Sequence, residues 1–460
     1  MSDTPARPHR CCGEHTRAEM LRRSVAEAGK GLPAVEPGMP APAGTGLSRR
    51  SFLMRSGGLA LSVYGASLLK PGAFTEGIAK AASTDGRVLV SIFLDGGVDS
   101  LSLLAPVLDP RYQELRPTLK LDEGDGPAWS EDPRLQWHPS AAPLHQLHGE
   151  GKVTVFPAIG YAGADQSHFT SRHYWEVGET NVRTNTGWLG RMLDVVGSPD
   201  NPMQGLSLDG YLSPGLATAR NPVAATWETS YDLWAPGVWG DVEELMHQSF
   251  AGIGAKAERG KDAQMRAAGA VARQAGTLRS QLASFPDEVQ SPVPYPDTRH
   301  FSSSLAGLAS MLGAGLPIKV AALDAPGGYD THDEQEEDFN RYVQETCQGL
   351  LAFQRDLEAR GLADRVVTLV WSEFGRRPEE NGSAGTDHGA AGNAFLIGKP
   401  VRGQMVGEWP GLDQLDEDDN LRATSDFRAM YCSLLEGWFG VDAGAVIPGA
   451  SSFGRQALIR

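Results

Sequence analysis

Cysteine is scarce in this chain: four in 460 residues, at Cys11, Cys12, Cys347 and Cys432. That excludes a disulfide-built scaffold. Cys11 and Cys12 stand between His9 and His15, in a polar leader with no core pattern. Cys347 and Cys432 fall within helical patterns and read as small core residues, with a disulfide between them left open. Long apolar runs are missing too. No stretch of 18 or more apolar residues occurs, so no transmembrane span is expected. Positive charge is short: 41 Lys and Arg against 57 Asp and Glu, a net charge of −16. Such a balance argues against a nucleic-acid partner and against adsorption on anionic membranes. A hydrophobic content of 41% still supports a real globular core.

The first strong signal is near the N-terminus. Residues 48–54 read SRRSFLM, followed by a short apolar run, GGLALSVYGASLL, and by Ala79-Lys80-Ala81. Paired arginines, a moderate apolar stretch and a small-x-small site are a twin-arginine export signature. Residues 1–81 are therefore expected to be a cleaved leader, leaving 82–460 as the mature domain. Secretion or release to the periplasm or cell envelope follows, with the twin-arginine export machinery as a partner. Metal proteins often use this route because the ligand is inserted before export. The mature part keeps an acidic surface and no membrane span.

Five segments read as buried strands: 87–94, 152–158, 317–323, 365–371 and 393–398. Apolar runs without strict alternation suit a parallel sheet covered on both faces. Between them, Phe339 to Leu357 and Asp426 to Trp438 carry helical periodicity, the second with its N-cap at Thr424-Ser425-Asp426. The alternation implies an α/β fold. Residues 195–300, with the Trp-rich segment TWETSYDLWAPGVWG at 226–240, read as an inserted cap. Its tryptophans could stack on a sugar ring or pack the cap on the core.

Ionisable residues gather where the strands end. The first strand runs into LDGGVDS, with Asp95; the second into PAIGYAGADQSHFTSRHYWEVG, with Ser167 and His168. The third ends in DAPGGYDTHDEQ, with Asp324, Asp330 and His332, and the fourth in SEFGRR, with Glu373. Asp387 and His388 precede the fifth. Open parallel sheets bind ligands outside their carboxyl ends. Carboxylates and imidazoles without thiolates suit zinc, manganese or magnesium. Ser167, at a helix start, is a candidate nucleophile and equally a candidate N-cap. His168 is a candidate ligand or general acid. Arg172, Arg376 and Arg377 could hold an oxyanion. The run Asp333 to Asp338 reads as a solvated helix start, and Glu379-Glu380-Asn381 as a solvent-facing turn.

The order LDGGVDS, SHFTSRHYWEVG, GGYDTH and SEFGR…GTDHG resembles the bacterial domain-of-unknown-function family 1501, over roughly residues 85–440. That family is placed in the alkaline-phosphatase-like superfamily. The resemblance implies a three-layer α/β/α sandwich with a mainly parallel central sheet, and a two-metal hydrolase ancestry. On that pattern Asp95 resembles the first-strand ligand, Ser167 the nucleophile, Asp330 and His332 one metal's ligand pair, and His388 the last histidine ligand. Glu373 stands where an Asp-His pair usually ends its strand. Metal-ligand candidates are therefore Asp95, Asp330, His332, Glu373, Asp387 and His388, for a divalent zinc, manganese or calcium ion. Catalytic candidates are Ser167, His168 and Arg376. Two departures stand out: the close spacing in Asp330-Thr331-His332, and Glu373-Phe374 where a histidine is missing. Without C-x-P-x-R or S-x-P-x-R, a standard sulfatase is not expected. The leading expectation is an exported metal-dependent hydrolase of a phosphate ester or related anionic ester. The alternative is a non-catalytic envelope protein binding a glycan or protein.

Overall fold

The structure, a computed structural model, describes residues 63–64, 86–198, 201–227, 241–282, 290–298 and 300–460. The twin-arginine segment, the Ala79-Lys80-Ala81 site, Cys11, Cys12 and most of the Trp-rich segment lie outside the described residues.

A central sheet organises the chain. Its strands are β1 (Val63–Tyr64), β2 (Val88–Phe93), β5 (Val153–Gly160), β6 (Gly205–Ser207), β7 (Val223–Ala225), β8 (Val320–Asp324), β9 (Val366–Trp371), β12 (Gly392–Ile397) and β13 (Ser425–Asp426). They lie in the order β1-β7-β6-β8-β2-β9-β12-β5-β13. Pairing is parallel from β7 through β9 and between β5 and β13; β12 runs antiparallel to both neighbours, and β1 antiparallel to β7. Two-stranded pairs are made by β3 (Leu104–Ala105) with β4 (Gln136–Trp137), and by β10 (Arg376–Glu380) with β11 (Thr386–His388).

Why the strands read as unbroken apolar runs is clear from their two faces. Val88, Val90 and Ile92 of β2 enter one apolar layer, while Leu89 and Phe93 enter the other. The first layer includes Leu144 of α3 (Ala142–Gly149), Phe301 of α8 (His300–Gly313) and Phe339 of α9 (Gln335–Ala359). The second includes Trp175 of α4 (His168–Val177), Met192 of α5 (Trp188–Val196) and Met430 of α10 (Phe427–Leu434). The short helices α1 (Ser100–Leu103) and α2 (Pro110–Leu115) follow β2, and α6 (Asp241–Ala257) and α7 (Ala263–Leu282) pack on each other. The fold is thus an α/β sandwich with a mostly parallel sheet between two helical layers. Cys347 and Cys432 are free and belong to opposite layers, so the sheet separates them. No helix among the described residues is long and apolar enough to cross a membrane.

Two readings change. The span 195–300 is not all cap, because it supplies β6 and β7 to the central sheet. Three-residue strands are too short for their periodicity to declare them. The last apolar segment runs against its neighbours. That reversal places the start of β12, rather than its end, beside the carboxyl ends of β9 and β5. A loop preceding a strand therefore joins the loops that follow the others.

Candidate metal centre at the carboxyl ends of the strands

Local backbone geometry brings the loops to one point. After β2, Gly96 has φ of 113°, and a Cβ there would lie 2.4 Å from the Asp330 nitrogen. Gly97 has φ of 73°, and its Cβ would lie 2.3 Å from the Phe374 ring. Both positions are left-handed backbone that glycine alone adopts readily. The β2 loop can therefore press against the Tyr329–Asp330 backbone and against Phe374.

Arg376 locks this arrangement. Its side chain is 0% exposed. Nε donates to the Gly97 carbonyl at 2.7 Å, and Nη1 to the Thr386 carbonyl at 2.7 Å. Nη2 donates to the Gly96 and Tyr329 carbonyls and to Asp330 Oδ1, the last at 2.7 Å. The expectation that Arg376 holds an oxyanion is thus not met in this arrangement: its donors are engaged by three loops and one carboxylate.

Around Asp330 three imidazoles converge. His168 Nε2 lies 3.3 Å from Asp330 Oδ1, His332 Nε2 3.0 Å and His388 Nε2 3.1 Å. His388 Nε2 is also 3.0 Å from Nε2 of both His168 and His332. The ligand atoms of His168, Asp330 and His388 all lie within 4.8 Å of one another.

The other nitrogen of each ring decides what these contacts mean. His168 Nδ1 is 2.7 Å from Glu373 Oε1, His332 Nδ1 is 3.1 Å from Asp387 Oδ1, and His388 Nδ1 is 2.8 Å from the Gln166 carbonyl. Each partner accepts hydrogen bonds, so each neutral ring keeps its proton on Nδ1. The His388 Nε2 lone pair then faces those of His168 and His332 and the Asp330 carboxylate. A proton can bridge one such contact; a divalent cation would satisfy those of His168, Asp330 and His388 together, with His332 Nε2 beside them at 3.0 Å from His388 Nε2. In addition, Asp330 Oδ2 is buried and has no hydrogen-bond partner. A buried carboxylate oxygen without a donor is costly unless a cation meets it. The residues therefore fit a metal ion, with carboxylate or carbonyl partners behind each histidine as metal-bound imidazoles usually have.

In the metal-free protein, burial would raise the Asp330 pKa, but contact with His168, His332 and His388 holds it well below the usual carboxylate range. The bond to Asp330 raises His332, whereas burial lowers His388.

The sequence candidates are redistributed. Glu373, a candidate ligand, stands behind His168. It is fully buried and accepts from Gly96 N at 3.1 Å and from the Ser372 hydroxyl at 3.0 Å. Asp387 stands behind His332. Asn381 and Glu380 do not simply face solvent. Asn381 Nδ2 donates to the His332 carbonyl at 2.8 Å, and Glu380 accepts from Leu119 N at 2.7 Å. The acidic helix start behaves as expected, with Glu336, Glu337 and Asp338 exposed in the first turn. Ser167 occupies the N-cap position of α4, yet its side chain makes no capping hydrogen bond.

Asp95 pairs with Arg172, its Oδ1 lying 3.7 Å from Arg172 Nη1, and it also feels the charges of Glu373 and His168. Burial pushes its carboxyl up to about 7, against the lowering by Arg172. Asp209 was not singled out in the sequence. Burial pushes it likewise up to about 7. The signal was there: Leu206-Ser207-Leu208-Asp209-Gly210 repeats the strand-Asp-Gly form of Leu94-Asp95-Gly96.

Glu373→Gln is expected to weaken metal binding by about 10–100-fold, the usual cost of losing an orienting partner. Competition with a chelator measures it; an unchanged affinity would remove Glu373 from this role.

A family model described as "Protein of unknown function (DUF1501)" matches residues 166–436, more than half of the chain. The chain belongs to this family. The match opens beside Ser167 and closes beyond α10, so it contains all four groups that meet at Asp330. A search of the curated proteins finds no match. Among solved structures, the chain is similar to the PsFucS1 sulfatase from Pseudoalteromonas sp., at 10% identity over 85% of this chain and 78% of that one, with a TM-score of 0.35. It is similar to the phosphonate monoester hydrolase SpPMH from Silicibacter pomeroyi, at 12% identity over 80% and 75%, with a TM-score of 0.35. The C-terminal periplasmic domain of EcEptC from Escherichia coli is similar at 9% identity over 87% and 95%, with a TM-score of 0.35.

Proposed function

We propose that this protein is an exported, metal-dependent hydrolase of a phosphate ester or a related anionic ester. The observation that carries the reading is the convergence of the His168, His332 and His388 Nε2 atoms on Asp330 Oδ1 at 3.0–3.3 Å. Each ring is fixed from behind, and Ser167 directly precedes His168 in the chain, with its hydroxyl not used as a cap. Three imidazoles and a carboxylate favour zinc or manganese; calcium, an ion of oxygen ligands, fits this set poorly. When bound, such an ion would polarise the ester oxygen and favour ionisation of a hydroxyl or water.

The chain's own residues supply the rest. Ser167 precedes α4, whose N-terminal partial positive charge favours an anion there. Glu373 keeps the His168 proton on Nδ1. Arg376 keeps Asp330 aimed through its Nη2 bond. Export through the twin-arginine route is part of the proposal and rests on the sequence alone.

The test uses metal-loaded chain with p-nitrophenyl phosphate, bis-p-nitrophenyl phosphate, p-nitrophenyl phosphonate and p-nitrophenyl sulfate. Hydrolysis of at least one is expected, and Ser167→Ala is expected to lower kcat by about a thousandfold. Loss in His388→Ala with retention in Ser167→Ala would assign the nucleophile to water. No turnover of any ester by metal-loaded protein would sink the hydrolase reading.

A further inference from the structure

Beside the metal cluster, β2, β8 and β6 are consecutive in the sheet. Their carboxyl ends carry Asp95, Asp324 and Asp209. Part of this group is internally satisfied. Asp209 Oδ2 accepts from Asp324 N at 3.1 Å, Asp209 Oδ1 lies 3.2 Å from His300 Nε2, and the Tyr211 hydroxyl donates to Asp324 Oδ2.

The remainder is not. Asp95 makes no side-chain hydrogen bond among the described residues; it pairs with Arg172 Nη1 at 3.7 Å. Asp324 Oδ1 faces Arg172 Nη2 at 3.6 Å. Both distances are too long for hydrogen bonds. Arg172 is only 3% exposed, and its Nη1 has no hydrogen-bond partner. The guanidinium cannot easily swing away: Nε is bound to Glu176 at 2.9 Å and the group lies 4.0 Å over the Phe93 ring. Two acceptors and one donor are thus held in place with unused capacity. The two carboxylates keep some access to solvent, with side-chain exposures of 13% and 19%.

A ligand for this group must both donate and accept. An ammonium group would meet the Arg172 charge, and a second anion would meet two carboxylates. A hydroxyl does both, donating to a carboxylate while accepting from a guanidinium. From Asp324 the contacts continue through Asp209 and His300 to an aromatic platform. Trp227 is bridged to Asp209 through the backbone, stacks on His300 at 4.4 Å and 13°, and remains 56% exposed. Exposed indole beside paired donors and acceptors suits a ring with an apolar face and hydroxyl edges.

We propose that Asp95, Arg172 and Asp324, with the face of Trp227, bind the hydroxyl groups of a sugar. Its role as the alcohol part of the substrate rests on the hydrolase reading; the binding itself does not.

The experiment is saturation-transfer NMR with methyl glycosides of glucose, galactose, mannose and fucose, on the full chain without added metal. At least one is expected to bind with a Kd of about 1–10 mM. Trp227→Ala and Asp324→Asn are each expected to weaken it tenfold or more, and Lys399→Ala, at an exposed pair with Asp364, to leave it unchanged. Trp227 is exposed, so its variant keeps the test valid if Asp324→Asn fails to fold. No transfer to any glycoside, or binding indifferent to Trp227→Ala, overturns the proposal. So does a second equivalent of zinc or manganese that is lost in Asp324→Asn while no glycoside binds. Glycoside binding without turnover of any ester supports the sugar site and overturns only the hydrolase reading.

Discussion

Replacing His388 with alanine is expected to strip a stoichiometric divalent ion from the protein. Its Nε2 is the one imidazole nitrogen in 3.0 Å contact with both of the other two, and it also lies 3.1 Å from Asp330 Oδ1. Four-ligand zinc sites bind with about 10–16 kcal/mol. Losing one of four donors should therefore cost about 3 kcal/mol, on the order of a hundredfold in affinity. Elemental mass spectrometry after dialysis against a weak chelator reads this directly. Zinc or manganese near one equivalent in the parent, and little in the variant, is the expected result. Metal retained at full stoichiometry and affinity in His388→Ala would place the ion elsewhere. Acidification should release metal as well, because each ligand must present a lone pair. His332 is held above its ordinary range by Asp330, so in the metal-free protein it takes a proton before His388, which burial holds low.

The second large effect concerns stability. Arg116→Leu is expected to cost about 3–5 kcal/mol, because it leaves an ionised carboxylate buried without its partner. Arg116 and Asp99 are both 0% exposed and are doubly bonded, with Nη2 donating to Asp99 Oδ1 at 2.9 Å. Around them, the Ser102 hydroxyl and Gln335 Nε2 donate to Asp99 Oδ2 at 2.6 Å and 2.7 Å. Arg116 also donates to the Pro378 and Arg377 carbonyls, both at 2.9 Å, so it supports the β10–β11 hairpin that carries Asp387 and His388. The same variant should therefore bind metal more weakly. Denaturant titration measures the stability loss; a change below about 1 kcal/mol would mean that the pair is not an obligatory unit.

Burial would raise the Asp99 pKa, but Arg116, Ser102 and Gln335 bring it below its ordinary value. With the folded pKa below the unfolded one, the pair's contribution is present above about pH 4 and is lost as pH falls through the folded value. The stability gap between parent and variant should narrow accordingly under acid.

Much of the frame was legible in residue order. The five longer strands stand out because a sheet covered on both faces buries side chains at every position, so β2 and β9 are apolar but for Ser91 and Thr368. Helix α9 stands out because it buries one stripe, including Phe339, Val343, Cys347 and Leu350, and exposes Glu336 and Glu337. Short β6 and β7 were not legible, and with them Asp209 escaped notice. The site was legible as a neighbourhood. Asp330, His332, His388 and His168 each adjoin a strand end on a glycine-rich loop, which is what makes them ligand candidates in residue order.

What residue order could not do was assign roles inside that neighbourhood. Glu373, Asp387 and Arg376 have the same chemistry as ligands and anion binders. Whether a carboxylate meets the ion or the back of an imidazole depends on a few ångströms of loop placement. Here Gly96, Gly97 and the buried Arg376 set that placement, through contacts spanning up to 280 positions in the chain. The sequence by itself determined the layers, the strand ends and the kinds of groups gathered there, because those follow from local periodicity and turn chemistry. Only the tertiary structure decided which nitrogen of each histidine points inward, which carboxylates stand behind, and that Asp95, Arg172 and Asp324 face one another across strands distant in sequence.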